Sequence, residues 1–600
     1  MKIRRYSFLL VLTLFALGLA GNAGGQELQV AKNIPDSPAA VANEPSKEEN
    51  PAAVSARPDL SRVGVQVGNM IPLTVNDAIR KALENNNSIE ITRDDVRFQE
   101  TSIRSLLGFY DPVFSVSPTF TRNSTTGSAA TNDFIVNSNM THFLKAGGGD
   151  YQVFFNNTRT ENAFSQAQVS SGSLISAGTA AIYSSRAGIQ YTQPLFRNFG
   201  IDNTRRNIKI ARRRLEQTDA DFRRQTIDTI AQVQRTYWDL VFALRDQQNQ
   251  VANVNLAQEN LRQIEARIKA GASAPLARAE VATELANRES SLLLSTQQVS
   301  ITENNLKQLL LRDAISAEWS QSYVPTDKPA FTLDPVNLDA AVKDAMDNRY
   351  ELRRLKLASD INAVDISYFK NQTKPQIDLV TTFSLDGLAR GGTNSAFQTN
   401  LYNSVGDLRF FDAINEIRAR PAVGLPPILN DTIIIPAQPS FLFGGFNRSL
   451  ANIFRSDAPN YSVGVTFSFP LRNRTAKANL AGAQVTQNQI ATQTRAQEQV
   501  VIVEVRNAVQ GVETARQRVL TSRRARENAE IQLDGERKLF ESGKSTTFLL
   551  FQRENALTNA RNAEIRAETD YNKAIADLQR ATSTTFQLNN IDVESPTDDK

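Results

Sequence analysis

Apolar residues recur along this chain in two rhythms, and the first is helical. From Ile230 onward they fall at Ile230, Val233, Tyr237, Leu240, Leu244, Val251, Val254, Leu261, Ile264 and Ile268, with Gln247 and Gln258 filling the two gaps. Steps of three and four average about 3.5 residues, the spacing of a left-handed coiled coil. The whole stretch from Arg205 to Gly271 lacks proline and predicts one helix about 100 Å long at 1.5 Å per residue. No compact domain is that wide, so the helix belongs to something elongated.

The second rhythm has period two. Tyr461, Val463, Val465, Phe467, Phe469 and Leu471 alternate with Ser462, Gly464, Thr466, Ser468 and Pro470. Phe114, Val116 and Phe120 alternate with Ser115, Ser117, Thr119 and Thr121, while Ile189, Tyr191 and Leu195 alternate with Gln190 and Thr192. Ile377, Leu379 and Phe383 do the same against Asp378 and Thr382. Each predicts a strand of about ten residues, long enough to cross a bilayer when tilted. Singly, each also suits a sheet of a soluble domain with one wet face. Joined to such long helices, however, the strands have no core to cover. Four strands cannot close a membrane barrel, which takes about eight, and open edges are not tolerated in lipid. Other copies of the chain must complete it: three chains give twelve strands, with six helical hairpins as a tube beneath.

The pattern occurs twice. An offset of 263 carries Ala78, Ala82 and Asn85 onto Ala341, Ala345 and Asn348, and Pro112 onto Pro375. An offset of 272 carries Ala211, Val233, Gly271 and Asn287 onto Ala483, Val505, Gly543 and Asn559. Each copy reads as short helix, strand, excursion, strand, long helix, tight turn, medium helix. The helices are expected at 76–107, 205–269 and 275–311, then at 338–372, 475–541 and 546–581, so a short and a medium helix end to end match one long helix. Gly271 and Gly543 suit left-handed helix ends; Ser273, Pro275 and Ser545 suit the starts that follow. Val500 to Val505 has the composition of a strand but stands at the register of the first long helix, and is read as helical.

The ends refine this picture. Lys2, Arg4 and Arg5 precede an apolar run from Phe8 to Ala20, a secretory signal with cleavage expected after Ala23. Its loss lowers the formal net charge from +4 to +1, which excludes a globally basic nucleic-acid binder. Cysteine is absent and His142 is the only histidine, read as an exposed loop residue. The usual metal and nucleophilic constellations therefore cannot be assembled, and neither a cofactor nor catalysis is expected. The organisation is then signal 1–23; Pro- and Ala-rich leader 24–72; first repeat 73–311 with excursion 123–185 and tip at 271. A linker 312–337, a second repeat 338–581 with excursion 386–459 and tip at 543, and a polar, frayed tail 582–600 follow.

The duplicated plan, the Gln193-Pro194-Leu195-Phe196 and Phe469-Pro470-Leu471 strand ends, and the Gly271 and Gly543 turns resemble the TolC-like outer-membrane efflux proteins. The resemblance covers residues 73 to 581. It implies an α+β homotrimer: a twelve-stranded β-barrel in the outer membrane continuing into a twelve-helix α-barrel in the periplasm, docked onto a periplasmic adaptor and an inner-membrane pump. It also implies export of drugs, metals, polypeptides or other solutes, as in efflux or type I secretion. The docking tips carried over are Ala270, Gly271, Ala272, Ser542, Gly543 and Lys544. In the family, acidic residues six and nine positions beyond these glycines line the entrance. Here those positions hold Ala277, Glu280, Leu549 and Gln552. Only Glu280 is acidic, so Leu549, Leu550 or Phe551 are read either as an alternative constriction or as helix-packing residues.

The excursions are read as large extracellular loops that extend or cap the barrel, and the linker as an equatorial belt with the segment after the last helix. The basic cluster Arg205, Arg206, Lys209, Arg212, Arg213 and Arg214 is either a solvated face or a contact with anionic headgroups of the outer membrane. A coiled-coil surface protein on a small barrel, or a periplasmic adaptor, are the rivals to a channel.

Overall fold

A computed structural model of the chain describes residues 62–65, 70–124, 126, 130–161, 181–391, 396–401, 404–437 and 439–594. The expected signal peptide, most of the leader and parts of both excursions lie outside them. In chain order the elements are β1 (Met70–Leu73), α1 (Val75–Asn85), α2 (Asn87–Leu107), β2 (Val113–Asn123), β3 (Thr131–Phe143), β4 (Asp150–Glu161) and β5 (Ile182–Pro194). The first hairpin, α3 (Asn203–Lys269) and α4 (Leu276–Leu310), and β6 (Ser322–Pro325) follow. The second half holds α5 (Leu338–Asn348), α6 (Tyr350–Gln372), β7 (Gln376–Arg390), β8 (Phe397–Asn400), α7 (Val405–Arg418), β9 (Thr432–Ile435) and α8 (Phe446–Ile453). Then come β10 (Pro459–Ser468), the second hairpin, α9 (Arg474–Glu541) and α10 (Thr547–Thr582), and the single-turn α11 (Thr585–Leu588).

The two long helices run 67 and 68 residues, about 100 Å each. Val500–Val505 lies inside α9, where Val501 and Val505 are buried against Ala345 and Ala581. The short helices differ from expectation, because each is broken in two. Asn86 and Arg349, related by the same offset of 263, both leave the helical region at ψ near 120°. Asn86 accepts from the backbone of Ser88 and Ile89 and so restarts the helix. Its amide donates to the carbonyl of Leu309, as Arg349 does to that of Ala581, 272 residues further on. The duplication therefore extends to hydrogen bonds made by different side chains.

The helices form one layer. α3 packs against α2 and α4 on one side and α6 and α10 on the other, whereas α9 packs against α5, α6 and α10. Short and medium helices thus share the flank of a long one, as their lengths require. The largest apolar cluster lies where α1, α3, α4, β1 and β6 meet, around Ala78, Tyr237, Leu240, Leu306, Leu310 and Tyr323. Burial keeps the Tyr237 hydroxyl protonated well past its usual range; the Leu73 carbonyl at 3.0 Å and the Asp327 carboxylate at 2.9 Å share its single proton. β1 and β6 pair in parallel there, so the last residues assigned to the leader are a strand held by the linker. The tail is not frayed through Glu594: Thr585 is fully buried, and Phe586 and Ile591 pack on the same cluster.

The main sheet has six strands in the order β10-β7-β5-β4-β3-β2, every pair antiparallel. All four expected strands are present, and the count of four per chain is corrected to six. The first excursion folds back as β3 and β4 between β2 and β5, because Phe134, Val136 and Met140, then Tyr151, Val153 and Phe155, supply an apolar face of their own. The second excursion adds no strand to this sheet. Instead α8 lies on β5 and β7: Ser449 donates to the Gly387 carbonyl at 2.8 Å, and a Cβ on Gly387 would stand 2.1 Å from the Ser449 carbonyl oxygen. Phe469 falls just past β10, since Pro470 has no N–H with which to continue the ladder. No described helix is long and apolar enough to cross a membrane.

Candidate functional site

Both hairpin tips are built alike. At the first, Gly271 has φ +75°, its N–H donates to the Ile268 carbonyl at 2.9 Å, and the Ala272 N–H donates to that of Arg267 at 2.8 Å. At the second, Gly543 has φ +74° and the Gly543 and Lys544 N–H groups reach Phe540 at 3.1 Å and Leu539 at 2.9 Å. These are the two bonds of a Schellman end, at the same offset of 272. A Cβ at either glycine would meet nothing within 4 Å, so glycine serves the left-handed backbone and not a close approach. Ala270 closes its helix in the right-handed region, and Ser542 closes the other at φ −79°, ψ 2°. The restarts differ from expectation: Pro275, not Ser273, precedes α4, and Thr546, not Ser545, caps α10 through the Leu549 N–H. Ser545 is occupied by Glu536.

One turn beyond the tips, Glu280 and Gln552 are exposed and Leu549 is 38% exposed. Leu550 is buried against Leu533 and Leu557 inside the second hairpin, and Phe551 lies under the Arg288 guanidinium at 5.8 Å. The side chains that join the hairpins stand further along and were not singled out by sequence. Arg288 and Glu554, 7% and 3% exposed, pair at 3.2 Å; Arg288 also holds Glu284 at 2.8 Å, and Asn260 donates to Glu554 at 3.3 Å.

From this pair a polar ladder climbs between α3 and α10. Thr558 donates to Asn253 at 2.9 Å, Asn249 to Asn562 at 2.7 Å, and Asn562 to Asp246 at 2.6 Å. Lys573 then meets Asp239 at 2.8 Å, and Arg235 meets Asp577. Burial raises the Asp246 carboxyl above its ordinary value, opposed by the amides of Gln250 and Asn562. Burial also pulls the Lys573 ammonium down, but Asp239 and Asp570 outweigh it and leave its pKa raised. On α3 the ladder residues recur at helical spacing beside the apolar positions, which is the only trace they leave in sequence.

The sheet carries two chemically distinct faces. Phe114, Met140, Val153, Ile189, Phe383 and Tyr461 form one continuous row of paired positions across all six strands. Val116, Phe120, Tyr191, Ile377, Leu379, Val463, Val465 and Phe467 share that face by the two-residue period. On the opposite face, Ser117, Asn137, Asn156, Arg186 and Asp386 form another row, and Arg186 and Asp386 pair at 2.8 Å. His142 is corrected from an exposed loop to a strand residue beside Tyr151, ring to ring at 5.0 Å.

Several members of the basic cluster have protein partners. Arg205 holds Asp202, whose carboxylate caps α3 by accepting from the Arg205 N–H at 2.8 Å. Arg206 pairs with Asp365 at 2.6 Å over the Tyr368 ring, and Arg213 pairs with Glu216 at 2.9 Å. Asp202 thereby supplies the negative charge that a helix start favours.

The family model for outer membrane efflux proteins matches residues 159–310 and 441–584. The solved outer-membrane channel OprN is similar at 14% identity over 90% of this chain and 98% of its own, with a TM-score of 0.54. CmeC, an outer membrane channel of Campylobacter jejuni, is similar at 12% identity over 86% and 90%, with a TM-score of 0.54. The open state of the Neisseria gonorrhoeae MtrE outer membrane channel is similar at 13% over 85% and 88%, with a TM-score of 0.53. No curated protein matches the chain. The structural likenesses establish a shared fold.

Proposed function

This chain belongs to the outer membrane efflux protein family, and on that premise we propose that three copies form a passive export duct through an outer membrane. The observation that carries this reading is a pair of unfinished edges, one in each layer. β2 and β10 end the sheet with unpaired backbone and exposed apolar side chains, among them Phe114, Phe120, Val463 and Phe467. The helical layer ends likewise, with Val485, Val500, Val503 and Ile531 exposed on α9, and Ile91, Phe98, Leu293 and Leu294 exposed on α2 and α4. An open sheet edge in lipid costs several kcal/mol per unsatisfied group. Copies placed side by side satisfy both layers at once, the apolar face of the sheet meeting lipid and the helices enclosing a periplasmic tube.

The tips at Ala270–Ala272 and Ser542–Lys544 then point away from the membrane, toward a periplasmic adaptor and an inner-membrane pump. Glu280, Leu549 and Gln552 lie at the entrance. Cargo passes without covalent chemistry, and no cofactor takes part. Gating is hairpin against hairpin, along the polar ladder from Arg288–Glu554 upward.

Membrane fractionation with chemical crosslinking tests this reading. A covalent trimer in the outer membrane is the expected result; a monomer in the soluble periplasmic fraction would overturn it.

A further inference from the structure

We propose that the membrane part closes as eighteen strands, six from each of three chains, and so opens a lumen of porin width. This rests on the three-chain duct proposed above and specifies the cargo size its outer end admits.

β3 and β4 are not an appendage to a four-stranded sheet, because they separate β2 from β5 with unbroken antiparallel pairing on both sides. They also keep its two-faced chemistry. Met140 and Val153 complete the apolar row between Phe114 and Ile189, while Asn137 and Asn156 complete the polar row between Ser117 and Arg186. A hairpin lying across the lumen or the cell surface would have no reason to carry a lipid-facing pattern in step with its neighbours.

The hairpin also reaches the end of the sheet where the helices begin. In its turn, Gly147 and Gly148 have φ of +72° and +69°, and the Gln193 amide donates to the Gly147 carbonyl at 2.9 Å. A Cβ on Gly148 would stand 2.7 Å from the Asn198 carbonyl oxygen and 2.5 Å from Arg205 Nη2, at the start of α3. The turn is seated against the root of the long helix, so β3 and β4 run the full height of the wall.

Circumference supplies an independent argument. Four helices at spacings of 8–10 Å occupy about 32–40 Å of arc per chain. Strands about 4.8 Å apart and tilted about 40° occupy about 6 Å each, so six take about 38 Å and four only about 25 Å. Six strands therefore let the sheet sit on its helices without a taper. The ends fit as well. β2 and β10 run antiparallel to each other through the alternating order, so β10 of one chain can pair with β2 of the next. Eighteen strands give a backbone diameter of about 36 Å against about 24 Å for twelve, and barrels of that size hold an aqueous channel. Allowing about 5 Å per wall for side chains, half the spacing of packed sheets, leaves about 26 Å. Its polar wall of Ser, Thr and Asn, with Arg186 neutralised by Asp386, suits large hydrated polar cargo of either charge.

The family model leaves β2, β3 and nearly all of β4 unmatched. The chain has no cysteine, which permits a direct test. Full-length protein in outer membranes carries Val153→Cys with Ile189→Cys, Phe114→Cys with Met140→Cys, or Phe114→Cys with Ile189→Cys, and is treated with a short dimaleimide; linked peptides are read by mass spectrometry. The first two pairs are expected to link and the third is not. Linkage of the third pair in crosslinkable trimers would overturn the eighteen strands alone, because a twelve-stranded wall needs β2 beside β5. Monomers, with or without the first two links, would overturn the duct and the closure with it.

Discussion

Inside each helical hairpin the two helices close on an apolar cluster, flanked in the second by ion pairs such as Arg526–Glu564 at 2.6 Å, whereas the contacts between the hairpins are polar. Val254, Ala257, Leu285 and Leu292 close the first hairpin, and Leu533, Leu550 and Leu557 the second. Along α3 and α10, by contrast, Asp239, Asn249, Asn253 and Asn260 face Lys573, Asn562, Thr558 and Glu554. An apolar seam that opens loses its burial with nothing in exchange, at about 25 cal/mol per Å². A hydrogen-bonded seam that opens exchanges its partners for water, at a net cost of about 1 kcal/mol per bond. The hairpins are thus built to hold together internally and to part from each other.

The largest effect should come where the polar seam is driest. Arg288→Ala leaves the Glu554 carboxylate buried without its cation, a loss of about 3 kcal/mol. In planar bilayers its open probability should rise by up to about two orders of magnitude, since 1.4 kcal/mol is tenfold. An unchanged open probability would show that gating does not run along this seam. Leu557→Ala, inside the second hairpin, should cost about 2–3 kcal/mol of stability through cavity formation, read as a lower urea midpoint, while single-channel gating stays near wild type. If it opened the channel as Arg288→Ala does, the distinction between the seams would fail.

Smaller still, Asn249→Ala removes one bond to Asn562 and should shift the closed state by about 1 kcal/mol. Weakest is the charge pair higher up. The pKa of Lys573 is raised in the folded chain, so its contribution is fully present below its ordinary value of 10.5. That contribution is lost as pH rises through the raised value, and this partly exposed pair holds at most about 1 kcal/mol. Conductance should therefore climb slightly above pH 10.5, and Lys573→Met should flatten that climb; an equal climb in the variant would assign it to other groups.

Much of this architecture is legible in the chain because its signals are periodic. Four strands alternate cleanly, both long helices keep their apolar spacing, and Gly271 and Gly543 stand at equivalent positions. What was not legible is aperiodic or distant. β4 places Phe154 and Phe155 side by side, one on each face, and Ser138 interrupts the apolar face of β3, so neither strand alternates enough to stand out. The breaks at Asn86 and Arg349 each take one residue and leave the helical apolar pattern intact. The polar ladder joins residues more than 260 positions apart, and amides on a helix face look solvent-exposed until their partners are placed. The register of the tips was readable; the residues that hold them together were not.

Single-channel recording of the purified oligomer shows whether the duct is gated along the Arg288–Glu554 seam. Wild-type protein in planar bilayers should show a mostly closed channel, and Arg288→Ala the same channel opened far more often. A crosslinked trimer that conducts no ions in either form would contradict a gated duct.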